Sequence, residues 1–274
     1  MESSVLLSQN KLTTQTLPFV VRMASQGDLD DVAALRSNAY GKHMPKLGAT
    51  LREPEESDYE LGCEVMVARS KFDGSLLGTL RTHANVFKPL PLQASIRLPA
   101  QYRGERMVET TRLCVKGSPN SSLVRNALFK ALFQYCYSQN VRWMMAAGRR
   151  PVDRIYDALM FVDVGEFGVF HPMAHAGNVP HRVMSFSPAH AKANWAACQH
   201  PLYEFVFETR HPDIDLATSA QMNFPWICPE ADFDMESAPA PLSGFGPMSR
   251  YDYLSNSVDI NLDTLANTVG GFSA

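Results

Sequence analysis

Met107-Val-Glu-Thr-Thr-Arg-Leu-Cys-Val115 is the stretch whose reading decides the fold. Val108, Thr110, Arg112 and Cys114 alternate with Met107, Glu109, Thr111, Leu113 and Val115, and β-branched residues are frequent. That pattern predicts a strand, apolar enough to lie inside a sheet. It nonetheless carries Glu109 and Arg112. In a regular strand a spacing of three sends these two side chains to opposite faces. Buried charges are costly unless paired, so each needs a partner from elsewhere in the chain. Two readings stand side by side: a pair of structural ion pairs, or charges kept for chemistry.

Working outward, Lys116-Gly-Ser-Pro-Asn-Ser-Ser122 is a polar turn rich in capping residues. It opens an amphipathic helix with Leu123, Ala127, Leu128, Ala131, Leu132, Tyr135 and Cys136 inward and Asn126, Lys130 and Gln134 as the outer stripe. Val141 to Ala147 predicts the next strand, and Pro151 suits the first turn of a helix running through Ile155, Tyr156 and Leu159. Strands are expected at Val164 to Val169 and Arg182 to Phe186, then short helices near 188–198 and 200–208.

Upstream, Glu64 to Arg69 and Leu76 to His83 form a hairpin turned at Lys71-Phe-Asp-Gly74. Residues 85–106 are a proline-rich connection. Phe19 to Ala24 reads as the first strand. Ser25-Gln-Gly-Asp28 then caps a helix carrying Leu29, Val32, Ala33, Leu35 and Arg36. Between Lys42 and Tyr59 lies a long loop with Glu53, Glu55, Glu56 and Asp58 near its end, and loops of that length are usually functional. The expected organisation is a loose arm over 1–17, one body over 18–212 and a Pro/Ser-rich C-terminal extension over 213–274.

A chain of 274 residues with 45% hydrophobic and 19% charged residues is of ordinary globular composition. The net charge of -3 gives no reason to expect nucleic acid as a partner. No apolar run reaches the ~20 residues of a membrane span, and the N-terminus lacks the pattern of a secretory signal, so a cytoplasmic protein is expected. Cys63, Cys114, Cys136, Cys198 and Cys228 are scattered without ligand spacing. His171, His175, His181 and His190 crowd together in sequence, yet they sit in irregular backbone with no interleaved carboxylate, and no metal site is expected.

The predicted order β-α-β-β-β-α-β-α-β-β is a mixed α/β arrangement with helices flanking a central sheet. It resembles the Gcn5-related N-acetyltransferase fold. Glu109-Thr-Thr-Arg112-Leu113-Cys-Val115 resembles the Glu-x-x-Arg-[Phe/Leu]-x-Val strand of acyl-homoserine lactone synthases and N-acyl amino acid synthases, and Gly78-Thr-Leu-Arg81 resembles the Gly-x-x-Arg before it. Asp58 and Arg36 fall where those families carry an acidic residue and a first-helix arginine. Tyr156 to Phe161 is similar to the superfamily's helix ending in Tyr-x-x-x-Gly-Phe, with Met160 in the glycine's place. The likeness spans roughly residues 19–187 and is better to the N-acyl amino acid synthases, because the early-loop tryptophan of the lactone enzymes is missing. The glycine-rich pyrophosphate loop of acetyl-CoA-dependent members is missing too. One glycine and a proline stand there, and a proline removes an amide donor.

The resemblance therefore implies an N-acyltransferase that moves a long-chain fatty acyl group from an acyl carrier protein thioester to the amine of an amino acid or similar small molecule. The donor is acyl-phosphopantetheine, or acyl-CoA, as co-substrate, with no permanently bound cofactor. An acetyl-CoA-dependent N-acetyltransferase and a non-catalytic binding module of the same fold are the alternatives. In this fold two neighbouring parallel strands, here Met107–Val115 and Val141–Ala147, splay apart, and the backbone N–H groups of Cys114 and Val115 would polarise the thioester carbonyl. Glu109 would take the amine proton, or would form an ion pair with Arg81 or Arg36. Arg112 would lock the acidic loop through Asp58. Tyr156 would protonate the leaving thiolate, or serve as a core tyrosine. Lys116, Ser121 and Ser122 would hold a phosphate. Arg149, beside Arg150, would meet the acceptor carboxylate or the carrier's acidic helix. Trp143 would line an acyl site with Phe129, Phe133, Met144, Met145, Phe161, Phe167 and Phe170.

Overall fold

The structure, a computed structural model, describes residues 13–216. Its strands are β1 Thr13–Thr14, β2 Phe19–Met23, β3 Cys63–Ser70, β4 Leu76–Ala84, β5 Met107–Val115, β6 Trp143–Gly148, β7 Val162–Asp163, β8 Phe170–Met173, β9 Val179–Phe186, β10 Thr209–Arg210 and β11 Ile214–Asp215. The helices are α1 Leu29–Gly41, α2 Pro45–Thr50, α3 Ser121–Ser138, α4 Asp153–Ala158 and α5 Pro188–Ala197. Strands run β11-β2-β3-β4-β5-β6-β9-β7 across one sheet, with β8 on β9. Only β5–β6 and β11–β2 pair in parallel in that sheet. This is the expected mixed sheet flanked by helices.

Hydrophobic burial puts α3 on one face. Val124, Ala127, Leu128, Ala131 and Leu132 pack there on Met66, Leu80, Val108, Met144 and Met184. Each large side chain so buried contributes ~1.5–3 kcal/mol before the entropy of ordering it. Gly78 permits the close approach: a Cβ there would stand 2.8 Å from Val124 Cγ1, 3.0 Å from Leu128 Cδ1 and 3.2 Å from the Cys114 carbonyl oxygen. The opposite face is covered by α1 and by the 85–106 connection, whose Leu90, Leu92, Ile96 and Tyr102 pack on Met107, Met145 and Val183.

Several expectations are corrected. Residues 164–169 form no strand; Gly165 and Gly168 have φ of 91° and 72°, and the pairing moves to β7 and β8 on either side. The long loop holds α2 and a 3-10 turn at Glu56–Asp58, and the expected helix near 200–208 is a π-helix over Glu204–Glu208. Lys130, assigned to the outer stripe of α3, is 1% exposed, because the C-terminal segment crosses that side and presents the Phe205 and Thr209 carbonyls to its ammonium. Residues 13–17 and 213–215, expected in the arm and the extension, join the body: β1 pairs with β10, β11 pairs with β2, and Leu17 N–H donates to Asp213 at 2.7 Å. Residues 1–12 and the remainder of the extension, 217–274, lie outside the described residues.

The decisive strand departs from regularity at one point. Thr79 stands opposite Cys114 but Arg81 opposite Thr111, so Arg112 and Leu113 together face the single residue Leu80. Arg112 takes a φ of 55°. This is a β-bulge, which interrupts the alternation of side chains.

Candidate active site

β5 and β6 pair from Met107 with Trp143 as far as Thr110 with Ala146. Beyond that both strands continue, β5 to Val115 and β6 to Gly148, without pairing to each other. Lys116 N–H donates to the Leu77 carbonyl at 2.8 Å. Along an antiparallel ladder inward and outward amides alternate, so the Val115 amide points away from β4 into the gap, and the Cys114 amide turns toward β4. A cavity of about 210 Å³ opens in the gap, walled by Thr110 to Val115, Ala147, Ile155 and Tyr156, with Tyr40 and Met44 above and His175 and His181 at the far side.

The bulge brings both charges of the strand to the same face, against the expectation of opposite ones. Arg112 lies on the side of Arg81 and Thr111, where the acidic loop descends. Its guanidinium grips Glu55 with Nε–Oε2 at 2.9 Å and Nη2–Oε1 at 2.7 Å, so the loop is locked through Glu55 and not through Asp58. Asp58 instead accepts from Arg36 at 2.7 and 2.9 Å and from Arg81 at 3.1 Å, while Arg81 also reaches Glu55 at 3.0 Å. Three guanidinium groups and two carboxylates thus form one network, of which Arg112 reaches the cavity wall. Desolvation by burial raises the Glu55 pKa, but the Arg112 hydrogen bond and the nearby Arg81, Arg112 and Arg36 charges outweigh it and hold the carboxyl down at about 2. Tyr40 stacks its ring on Arg112, 5.6 Å from centroid to guanidinium carbon.

Glu109 has none of the expected ion pairs, because Arg81 and Arg36 are committed to the loop. It is 0% exposed and lies outside the cavity wall. Oε2 accepts the Leu92 N–H at 2.8 Å, while Oε1 is buried without a hydrogen-bond partner. Burial pushes this carboxyl up to about 8, against the opposing pull of the Leu92 amide, Arg81 and Arg112. The imidazole of His175 faces Oε1, with Nε2 at 3.6 Å. Sequence reading passed over His175 as a functional residue, since it lies 66 positions from Glu109 and no local pattern joins them.

Of the other expected site residues, Tyr156 and Arg149 line the cavity. Burial raises the Tyr156 phenol, which therefore keeps its proton at neutral pH. Burial likewise pushes the Cys114 thiol up to about 12, an inert form for a nucleophile. Lys116 is exposed, Ser121 donates to the Ser118 carbonyl at 2.8 Å, and Ser122 is half-buried; all three stand at the α3 start beyond the cavity wall, which Gly117 reaches. Trp143 packs edge-on against Tyr102 with centroids 5.2 Å apart and does not line the cavity. Nor do Phe129, Phe133, Met144, Met145, Phe161, Phe167 or Phe170. Most of these fill the core on the two sheet faces, and Phe167 lies under Arg182. Among the described residues no three His, Cys, Asp or Glu side chains gather as a metal site, and no helix is long and apolar enough to cross a membrane.

Residues 31–183 match the family model described as N-acyl amino acid synthase FeeM. No curated protein matches in sequence. Among solved structures, the chain is similar to FeeM, an N-acyl amino acid synthase from uncultured soil microbes, with 15% identity and a TM-score of 0.51 over 68% of this chain and 96% of that one. A CoA-dependent acyl-homoserine lactone synthase, BjaI, solved with SAM and isopentyl-CoA, matches at 16% identity and a TM-score of 0.47 over 75% of this chain and 99% of its own. An aminoglycoside 6'-acetyltransferase of type Ii matches at 14% identity and a TM-score of 0.43, covering 62% and 97% respectively.

Proposed function

The chain belongs to the family of the N-acyl amino acid synthase FeeM and is an N-acyltransferase, and we propose that it moves a long-chain fatty acyl group from an acyl carrier protein thioester to the amine of an amino acid or similar small molecule. The observation that carries this reading is the parting of β5 and β6 after Thr110, with the Val115 amide turned into the cavity between them. An unpaired amide inside a protein is costly. Placed beside a thioester carbonyl, it stabilises the negative charge that develops on oxygen as the amine attacks. Of the two amides expected to serve, Val115 takes the role.

The remaining groups divide the work by position. Tyr156, whose phenol holds its proton, supplies one to the departing thiolate. Glu109 lies on the side where the acceptor's proton leaves. Arg149 at the cavity wall offers a cation to the acceptor carboxylate. Met44, Leu113, Val152 and Ile155 give the thioester end of an acyl chain an apolar bed. Arg36, Arg81, Asp58 and Arg112 act through the loop that they hold in place. For the donor, the glycine-poor turn from Lys116 to Ser122 suits one phosphate, as on phosphopantetheine, better than a pyrophosphate.

The test is a product assay. Purified protein is given acyl carrier protein or CoA loaded with acetyl, octanoyl or palmitoyl groups, together with a mixture of amino acids and simple amines, and N-acyl products are read by mass spectrometry. Long-chain N-acyl amino acids from the carrier-loaded donor are expected. Transfer from acetyl-CoA alone would overturn the donor assignment, and no amide product from any donor would overturn the function.

A further inference from the structure

Glu109, the carboxylate expected to receive the acceptor's proton, does not reach the reaction space. Every atom of it is enclosed, Oε2 is held by the Leu92 amide, and it stands behind the cavity wall. The imidazole of His175 faces both Glu109 and the cavity. It lines the cavity, its side chain is 21% exposed, and Nε2 is 3.6 Å from Glu109 Oε1. Two polar atoms of this pair, Glu109 Oε1 and His175 Nδ1, are buried with no hydrogen-bond partner. Such atoms are rare in folded proteins, and a catalytic use is one of the few reasons for them.

The position of His175 is fixed by the backbone around it. It sits in the 3-10 turn Ala174–Ala176, closed by Gly177 at a φ of 68°. The turn is pinned on one side by the Ala174 N–H donating to Ser95 Oγ at 2.9 Å, and on the other by Arg112 Nη2 donating to the His175 carbonyl at 3.4 Å. The groups facing the imidazole are Glu109 and Arg112 on β5, Arg81 and His83 on β4, His181 on β9 and Glu55 from the acidic loop. Burial, with Arg112, His181 and Arg81, pushes His175 down to about 4, so the ring is neutral at working pH and holds an added proton only with a carboxylate beside it.

We infer that His175, through Nε2, takes the proton from the attacking nitrogen and shares it with Glu109 Oε1 behind it. This rests on the N-acyl transfer proposed above. The step balances without any outside reactant. The amine lone pair forms the C–N bond while the carbonyl electron pair moves onto oxygen beside the Val115 amide. Nε2 removes one proton from that nitrogen. The carbonyl re-forms, the C–S bond breaks and the sulfur leaves with the electron pair. One proton then returns from the pair to sulfur, through the Tyr156 hydroxyl, so amide and free thiol are released and the site is reset. Glu109 can share the proton only in its ionised form, which burial makes the minor one below about pH 8, so turnover should rise as pH climbs toward that value.

The experiment uses the full chain. In wild type and His175→Gln, kcat and the acceptor KM are measured with a weakly basic acceptor amine that is unprotonated at neutral pH. The expected result is a fall in kcat of at least about 100-fold with the acceptor KM little changed, and partial recovery of His175→Ala by added imidazole. A folded His175→Gln with kcat within threefold of wild type overturns the inference and leaves the N-acyltransferase reading standing. A wild type inactive with every donor removes that reading, and the inference with it. A second measurement needs no His175 variant: the ¹⁵N shifts of the His175 ring are followed against pH in wild type and in folded Glu109→Gln. A step with a midpoint near pH 8 in wild type, lost in Glu109→Gln, supports the shared proton; identical titrations overturn it.

Discussion

Arg112 and Glu55, 57 residues apart in sequence, are joined by two parallel hydrogen bonds of 2.9 and 2.7 Å. The pair ties the bulge of the decisive strand to the acidic loop that folds over the sheet. Arg112→Ala leaves Glu55 half-buried beside fewer cations and removes the donor to the His175 carbonyl. A loss of about 3–5 kcal/mol in unfolding free energy is expected, as for other broken buried pairs. Arg112→Lys should recover little of it, because an ammonium has no fork to match both oxygens. Urea titration of the three proteins checks this, and a lysine variant as stable as wild type would contradict it.

The same pair predicts behaviour in acid. Glu55 has its folded pKa lowered, from 4.5 to about 2, so the unfolded chain binds its proton first. The stability that it contributes is present above about 4.5 and is lost as pH falls toward 2. Melting temperatures measured between pH 6 and pH 2 should therefore drop less steeply for Glu55→Gln than for wild type.

Glu109 has the opposite sign. Its folded pKa is raised from 4.5 to about 8, so the native state binds the extra proton. Its contribution is fully present below about 4.5 and is lost as pH climbs through 8. Glu109→Gln keeps a neutral group there at every pH. The variant should thus gain on wild type by an amount on the order of a few kcal/mol by pH 9, while losing acyl transfer. Thermal melts at pH 5 and pH 9 separate the two effects.

Gly78→Ala places a methyl 2.8 Å from Val124 Cγ1 and 3.2 Å from the Cys114 carbonyl oxygen. The side chains can yield; the backbone oxygen of β5 yields only by shifting the strand that presents the Val115 amide. A cost of about 1–3 kcal/mol is expected, with a lower kcat at unchanged acceptor KM. Steady-state kinetics beside a denaturant curve would show whether catalysis falls further than stability alone explains.

Lys130→Met should loosen the C-terminal segment. The Phe205 and Thr209 carbonyls, both served by the ammonium, would lose their donor. Unsatisfied buried carbonyls cost about 1–3 kcal/mol each. Faster hydrogen exchange confined to residues 204–215 is the expected signature.

Much of this architecture was legible from local pattern. The strand from Met107 to Val115 stands where its alternation placed it, α3 covers Ser121–Ser138 around the expected apolar stripe, and the hairpin turns at Asp73-Gly74. The family motifs marked Gly78, Arg81, Glu109 and Arg112 as belonging together. Hidden from pattern were the partners. Arg81, Arg36 and Arg112 choose Glu55 and Asp58 because a loop folds back over the sheet, and nothing in spacing tells Glu55 from Glu53 or Glu56. Lys130 reads as a surface residue until a segment 75 residues later covers it. His175 meets Glu109 only through the fold. The aromatics expected around an acyl site went to the core, where the same residue types are wanted for their area alone.

The bulge at Arg112 has a consequence for how this enzyme can change. One surplus residue reverses the parity of the strand, so everything from Leu113 onward is read with inside and outside exchanged relative to Met107–Thr111. Substitutions along β5 are local events; removing a single residue there is not. It would restore one-to-one pairing with β4 and leave Cys114 and Val115 opposite Thr79 and Gly78, but it would erase the kink at which β5 leaves β6 and detach the guanidinium from its loop in one stroke. Length, more than identity, is the property that this segment cannot surrender.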